Sequence, residues 1–195
     1  MALVQKMKFG GATTFGELSL KYYTFITSSL SLPNCQEVHV VFDQYWSTSI
    51  KANERSRRGA STALEVRISN SATPVPKQWE KYISNSKNKI NLCDFISTSL
   101  CQIGQEGQEK FPENKSIVIG EGFRAGEQAV HIRSGSYSDV PHLRSSHEEA
   151  DTRLVLHAQE ATEYAARIVI RSPDRYLNRH SYNAAEKNKH NSMSA

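Results

Sequence analysis

Val38-His-Val-Val-Phe-Asp43 is the stretch on which the reading of this chain turns. It is a short run of β-branched and aromatic residues that ends on a carboxylate, the pattern of a buried strand with an acid at its carboxyl end. Two more runs of the same kind follow. Ser116-Ile-Val-Ile119 leads into Gly120-Glu-Gly122, and Arg167-Ile-Val-Ile170 leads into Ser172-Pro-Asp174. Gln128 to Ile132 is expected beside the second run or as a hairpin extension of it. Leu64 to Ile68 reads as an edge strand, and the Ser-, Gly-, Pro- and Asp-rich stretch from Ser134 to Arg144 as a loop.

Helical periodicity fills the spaces between these runs. Thr14-Phe-Gly-Glu17 has the spacing of a capping box, and Phe15, Leu18, Tyr22, Phe25 and Ile26 follow on one face, predicting a helix over about 15–29 that Pro33-Asn34 ends. Pro74-Val-Pro76 is a stiff connection. Trp79, Tyr82 and Ile83 share a face of one helix, and Leu92, Phe95, Ile96, Leu100 and Ile103 share a face of the next. Ser146-x-x-Glu149 is a second capping box, opening a helix to about Ala166 with Ala150, Leu154, Ala158 and Ala161 on one side. Strands alternating with helices predict an α/β fold with a mainly parallel sheet flanked by helices. In such sheets functional groups gather beyond the carboxyl ends of the strands, where Asp43, Glu121 and Asp174 stand.

The 195 residues suffice for one domain with a real core, and 23% charged residues argue against global disorder. The formal net charge is +4, and four basic residues against Glu186 place +3 of it in residues 175–195. That stretch is polar, basic and aperiodic, and reads as a tail without structure. The weakly basic balance is compatible with nucleic-acid binding without requiring it. Cys35, Cys93 and Cys101 are odd in number and lack C-x-x-C spacing, which argues for free thiols and against a zinc site or disulfide framework. The first eleven residues carry no long apolar run, so no secretory signal is expected, nor is a membrane helix. The expected protein is soluble and intracellular, in nucleus or cytoplasm.

Glu148, Glu149 and Asp151 cluster at a helix start, while Asp43 and Asp174 follow strands. Hard divalent cations such as Mg2+ and Mn2+ take oxygen ligands, often few carboxylates plus water, and suit phosphodiester hydrolysis. The same acids have a plain structural reading: a first helical turn favours negative charge, and an Asp after a strand caps a turn.

The segments Ser146-His-Glu-Glu-Ala-Asp-Thr-Arg-Leu-Val-Leu-His-Ala158 and Ile168-Val-Ile-Arg-Ser-Pro-Asp174 resemble the internal motif of PIN-type nucleases of the flap-endonuclease (XPG-type) class. They look closer still to PIN-like domains of uncharacterised, mobile-element-derived animal proteins. Val41-Phe-Asp-Gln-Tyr45, Ser49-Ile-Lys-Ala-Asn-Glu-Arg-Ser-Arg-Arg-Gly59 and Pro74-Val-Pro-Lys-Gln-Trp79 extend the resemblance over about residues 38–174, within a domain of residues 1–174. The resemblance implies a Rossmann-like PIN fold and metal-dependent cleavage of DNA or RNA. It implies Asp43, Glu149, Asp151 and Asp174 as catalytic metal ligands for Mg2+ or Mn2+, with Glu148 as a further ligand. On a regular helix Glu149 and Asp151 stand about 200° apart, so both reach one ion only if the first turn is irregular. Lys51, Arg55, Arg57 and Arg58 read equally as contacts to backbone phosphates or as a solvated helix face with Glu54 paired to Arg58. Tyr45 and Trp46 read as base-stacking or packing residues.

The chain departs from the family pattern after Asp174. Arg175-Tyr-Leu-Asn stands where Thr-Asp, with the second aspartate, and then an apolar strand belong, which reads as a C-terminally truncated copy with an incomplete sheet. A non-catalytic descendant that binds nucleic acid or protein is therefore the alternative expectation. Other motifs fall short. His147 and His157 lack the H-E-x-x-H spacing and His157 reads as packing or surface; Gly120-x-Gly122 lacks the third glycine of a dinucleotide loop. Ser172 has no partner pattern for a hydrolase triad.

Overall fold

The computed structural model describes residues 11–44, 64–106, 113–124, 126–147 and 150–170, and the backbone of 181–183. Among these, helix α1 (Phe15–Leu30) precedes strand β1 (Glu37–Val41). Helices α2 (Trp79–Ser84) and α3 (Ser86–Gln105) lead to strands β2 (Ser116–Gly120), β3 (Ala129–Arg133) and β4 (Ser136–Asp139). A 3-10 turn (Pro141–Leu143), helix α4 (Ala150–Ala161) and strands β5 (Arg167–Val169) and β6 (Ser181–Asn183) complete them.

The main sheet has the order β1-β2-β3-β4. β1 and β2 are parallel, with Val38 opposite Ile117 and Val41 opposite Gly120. β2–β3 and β3–β4 are antiparallel. The fold is thus mixed α/β, but antiparallel pairings predominate in the described sheet, where a mainly parallel one was expected. The reason is local. Gly135, at φ +79°, turns the chain back within two residues between Arg133 and Ser136, so the stretch expected as a loop supplies β4.

Alternation sorts the sheet into two faces. Ile117, Ile119, Val130 and Ile132 point into the larger core, against Phe15, Tyr22 and Ile26 of α1 and Leu92, Ile96 and Leu100 of α3. Val118 and Ala129 point the other way, into a small cluster with Val140, Leu143 and Leu156 of α4. β2 is buried along its whole length, as its unbroken apolar run predicts.

The capping box of α1 forms as its spacing predicts: Glu17 N donates to Thr14 Oγ1 at 3.2 Å, and the Glu17 carboxylate returns to Thr13 N at 2.6 Å. Phe25, placed on the inner face by periodicity, is exposed, and Tyr23 is buried in its stead. The Pro74 segment lies against the start of α1, where Phe15 N donates to Thr73 O and Val75 N to Thr13 O, both at 2.9 Å.

Leu64 to Ile68, expected as an edge strand, joins no described sheet. Side-chain amides replace its ladder. Asn88 Oδ1 accepts from Val66 N at 3.0 Å, Asn88 Nδ2 donates to Leu64 O at 2.6 Å, and Asn91 Oδ1 accepts from Ile68 N at 2.7 Å. The run Arg167–Ile170 predicts a buried strand, yet Arg167 and Val169 are exposed, and β5 pairs with β6 in a separate two-stranded ribbon. Three residues of the stretch expected to lack structure, Ser181–Asn183, supply that partner. α4 ends at Ala161, before the expected Ala166. Cys35, Cys93 and Cys101 are free thiols. No described helix is long and apolar enough to cross a membrane.

Candidate functional site

The carboxyl ends of β1 and β2 lie side by side, and the start of α4 meets them. Phe42 N continues the pairing to Gly120 O at 3.1 Å, so Asp43 leaves the sheet beside Glu121. Asp43 is half-buried, and its Oδ1 accepts a hydrogen bond from Ala150 N, the first residue of α4, at 3.2 Å. A carboxylate 107 positions away in sequence thus caps the positive end of the helix. Asp151 is exposed one residue further on. Of the expected ligands, then, Asp43 and Asp151 are brought to one locality. Glu148, Glu149 and Asp174 lie outside the described residues, as do Lys51, Arg55, Arg57, Arg58, Tyr45 and Trp46.

Behind Asp43 sits a residue that sequence reasoning missed. Arg153, on the inward face of α4, is 1% exposed. Its guanidinium donates to the carbonyls of Phe42 and His147 and to Gln44 Oε1, the last at 3.2 Å. Its Nε lies 3.5 Å from Glu121 Oε1. One side chain therefore ties together the end of β1, the turn after β2 and the segment entering α4. The periodicity puts Ala150, Leu154, Ala158 and Ala161 on the inner face; Ala161 is buried there, but its buried companions are Arg153 and His157. The 153-157-161 spacing is as helical as the apolar set, but its two polar members hide it from a hydrophobicity pattern.

Glu121 is also 1% exposed and has a left-handed backbone, φ +64°, beside Gly122 at φ +86°. Its N donates to Gln128 O at 2.8 Å, holding this turn. Burial pushes its carboxyl up to about 7, against the pull of the Arg153 charge. Its place after a strand is visible in the sequence; its pairing with an arginine some thirty residues on is not.

Gly120 is required by the approach of α4. A Cβ there would lie 2.8 Å from His157 Cε1 and closer still to Nε2. Because both neighbouring strands hold the Gly120 backbone, the helix has to yield. Gly120→Ala is expected to cost about 1–3 kcal/mol, the range for overpacking, read as a lowered urea midpoint at unchanged slope.

A cavity of about 260 Å³ opens between the Leu64–Ile68 segment and α3. Arg67, Lys87 and Arg124 line it together with Glu65 and Asp94. Lys87 pairs with Glu65 at 3.1 Å, and Asp94 Oδ1 accepts from Arg124 N at 2.8 Å.

The donor chemistry at Asp43 and Asp151 suits a hard divalent cation, because both are carboxylates and Asp43 keeps part of its surface open. Among the described residues no group of three or more His, Cys, Asp or Glu side chains is arranged to hold a metal ion. No protein-family model, no curated protein and no solved structure matches this chain.

Proposed function

We propose that this chain is a PIN-like nuclease domain of mobile-element descent that hydrolyses phosphodiester bonds in nucleic acid with Mg2+ or Mn2+. The observation that carries the reading is the 3.2 Å hydrogen bond from Ala150 N to Asp43 Oδ1. It joins the acid after the first strand to the helix start where Glu148, Glu149 and Asp151 stand in the sequence. Asp43, Glu149, Asp151 and Asp174 would hold the ions, with Glu148 beside them. When bound, such an ion supplies Lewis acidity and lowers the pKa of water. The chain's own work is positioning. Arg153 holds the Phe42 carbonyl and the Gln44 side chain on either side of Asp43, and Lys51, Arg55, Arg57 and Arg58 would bind backbone phosphates. A Rossmann-like PIN arrangement of the whole sheet is part of this proposal.

The test is cleavage of labelled single-stranded and flap DNA and RNA, with Mn2+ or EDTA, by the parent and by Asp43→Asn. Cleavage that EDTA abolishes and that Asp43→Asn lowers on the order of 100-fold is expected, as for loss of a group that stabilises transition-state charge. A folded parent that leaves every substrate intact would sink the catalytic reading.

A second reading is favoured by two observations: Arg175 follows Asp174 where the family has another acid nearby, and Arg67, Lys87 and Arg124 line the cavity beside α3. On this reading the domain binds nucleic acid without cutting it. Binding that weakens steeply with salt, without cleavage, distinguishes it.

A further inference from the structure

A second polar cluster lies on the α4 side of the sheet, toward the opposite ends of the same strands. His39 Nδ1 and His157 Nδ1 are 2.8 Å apart, joining β1 to α4. His39 Nε2 is 2.7 Å from Glu37 Oε1, and His131 Nε2 on β3 is 3.2 Å from Glu37 Oε2. Ser116 Oγ on β2 and Tyr164 OH beyond α4 each donate to the Glu37 carboxylate at 2.6 Å. Burial alone would raise the Glu37 carboxyl, but the hydrogen bonds from His131, His39, Ser116 and Tyr164 outweigh it and hold the carboxyl far below the usual range. His157 is 2% exposed, and its Nε2 faces Gly120 with no hydrogen-bond partner among the described residues.

We propose that the His39–His157 pair is a proton-sensitive latch that holds α4 on the sheet and releases it when the pair takes up one proton. An ionised carboxylate only accepts, so His39 Nε2 carries a hydrogen toward Glu37. In the neutral pair, His39 Nδ1 is then a lone pair, and His157 Nδ1 donates to it. His157 Nε2 is left bare against Gly120, where the absence of a donor costs little.

An added proton has two places to go. On His157, it makes Nε2 an N–H. On His39, it turns Nδ1 into a donor, so His157 must accept there and move its own hydrogen to Nε2. Both routes put an N–H on a buried atom that faces Gly120 and has no acceptor, a costly arrangement. Keeping Nε2 bare instead sets two N–H groups against each other across 2.8 Å. Every protonated form thus opposes the docked helix.

Burial pushes His157 down to about 3, with the charges of His39 and Arg153 adding to the effect. Other groups facing the latch are His142 in the 3-10 turn, paired with Glu160 of α4 at 3.2 Å, and Tyr164, whose hydroxyl gives its one hydrogen to Glu37 and also lies 3.1 Å from Glu160 Oε2. The sign follows. A histidine held neutral in the docked state contributes its stability in full above about 6.5, the unfolded value, and loses it progressively from there down to about 3. Glu121 works in the opposite sense. Its raised folded value favours the docked state below about 7, so the pH dependence of the parent is muted. The comparison of parent with His157→Gln isolates the latch, since glutamine keeps an amide in place and does not titrate. The latch stands or falls independently of the nuclease reading.

The test is amide hydrogen exchange across Ala150–Ala161 of the full chain at pH 7 and pH 5, corrected for intrinsic rates, in the parent and in His157→Gln. Between these values the protection of α4 in the variant relative to the parent is expected to rise on the order of 20-fold, the ratio set by a histidine that titrates near 6.5 only when undocked. A relative protection that stays within about twofold overturns the latch. Imidazole 15N shifts of the parent give the second measurement, which needs no variant. His157 still neutral at pH 5 supports the proposal, and an ordinary midpoint near 6.5 with α4 docked overturns it.

Discussion

Arg153→Met is expected to lower the unfolding free energy by about 3–5 kcal/mol, the cost of breaking a buried ion pair from one side. The guanidinium is 1% exposed, and its removal takes hydrogen bonds from the carbonyls of Phe42 and His147 and from Gln44 Oε1. It also removes the cationic partner of Glu121, itself 1% exposed at a left-handed backbone position. Methionine fills much of the volume but answers none of these groups. Adding Glu121→Gln to Arg153→Met is expected to recover part of the loss, because the uncompensated carboxylate is then gone. Urea unfolding of the two single variants and the double variant measures the coupling. A loss below about 1 kcal/mol for Arg153→Met would show that the arginine is not the tie its contacts suggest. The single variant should also suffer more at pH 8 than at pH 5. Without Arg153 the Glu121 carboxyl rises further above its unfolded value, and such a carboxyl favours the folded state only while it stays protonated.

Asn88→Ala is expected to cost about 2–4 kcal/mol, several times the net worth of one hydrogen bond, because three hydrogen bonds of a buried amide, one of them to the buried Tyr82 carbonyl, are lost together. Asn88 is 1% exposed. Its Nδ2 donates to Leu64 O at 2.6 Å and Tyr82 O at 2.8 Å, while its Oδ1 accepts from Val66 N at 3.0 Å. The Leu64–Ile68 segment has no described strand beside it, so this amide and that of Asn91 stand in for a sheet neighbour. Beyond the loss of stability, hydrogen exchange at Val66 should rise far more than at Ile117 or Ile119 of β2. Equal changes at both places would mean that Asn88 supports the core generally and not this segment.

Much of the secondary structure was legible because it rests on local chemistry. The Thr14–Glu17 box opens α1, and the unbroken Ser116–Ile119 run forms a strand buried along its length. Phe15, Leu18, Tyr22, Leu92, Ile96 and Leu100 enter the core that their spacing predicts. Pairing was less legible. β4 is built of Ser136–Asp139, exposed throughout, so no apolar run announces it; the turn at Gly135 does. Arg167–Val169 has the composition of a core strand but lies exposed in a ribbon with β6.

What the sequence determined by itself is the set of elements whose residues carry their own reason to form, and the presence of acids at Asp43 and Asp151. Hydrophobic periodicity and capping act over a few residues, so they are written in consecutive positions. The tertiary structure alone decided that α4 turns Arg153 and His157 inward, that Arg153 meets Glu121, and that His157 meets His39. Charged and imidazole side chains are normally counted as surface residues, because burial is costly until a partner is supplied. Those partners come from a turn and a strand, 32 and 118 positions away, and no local pattern records a compensation that exists only once the chain has folded.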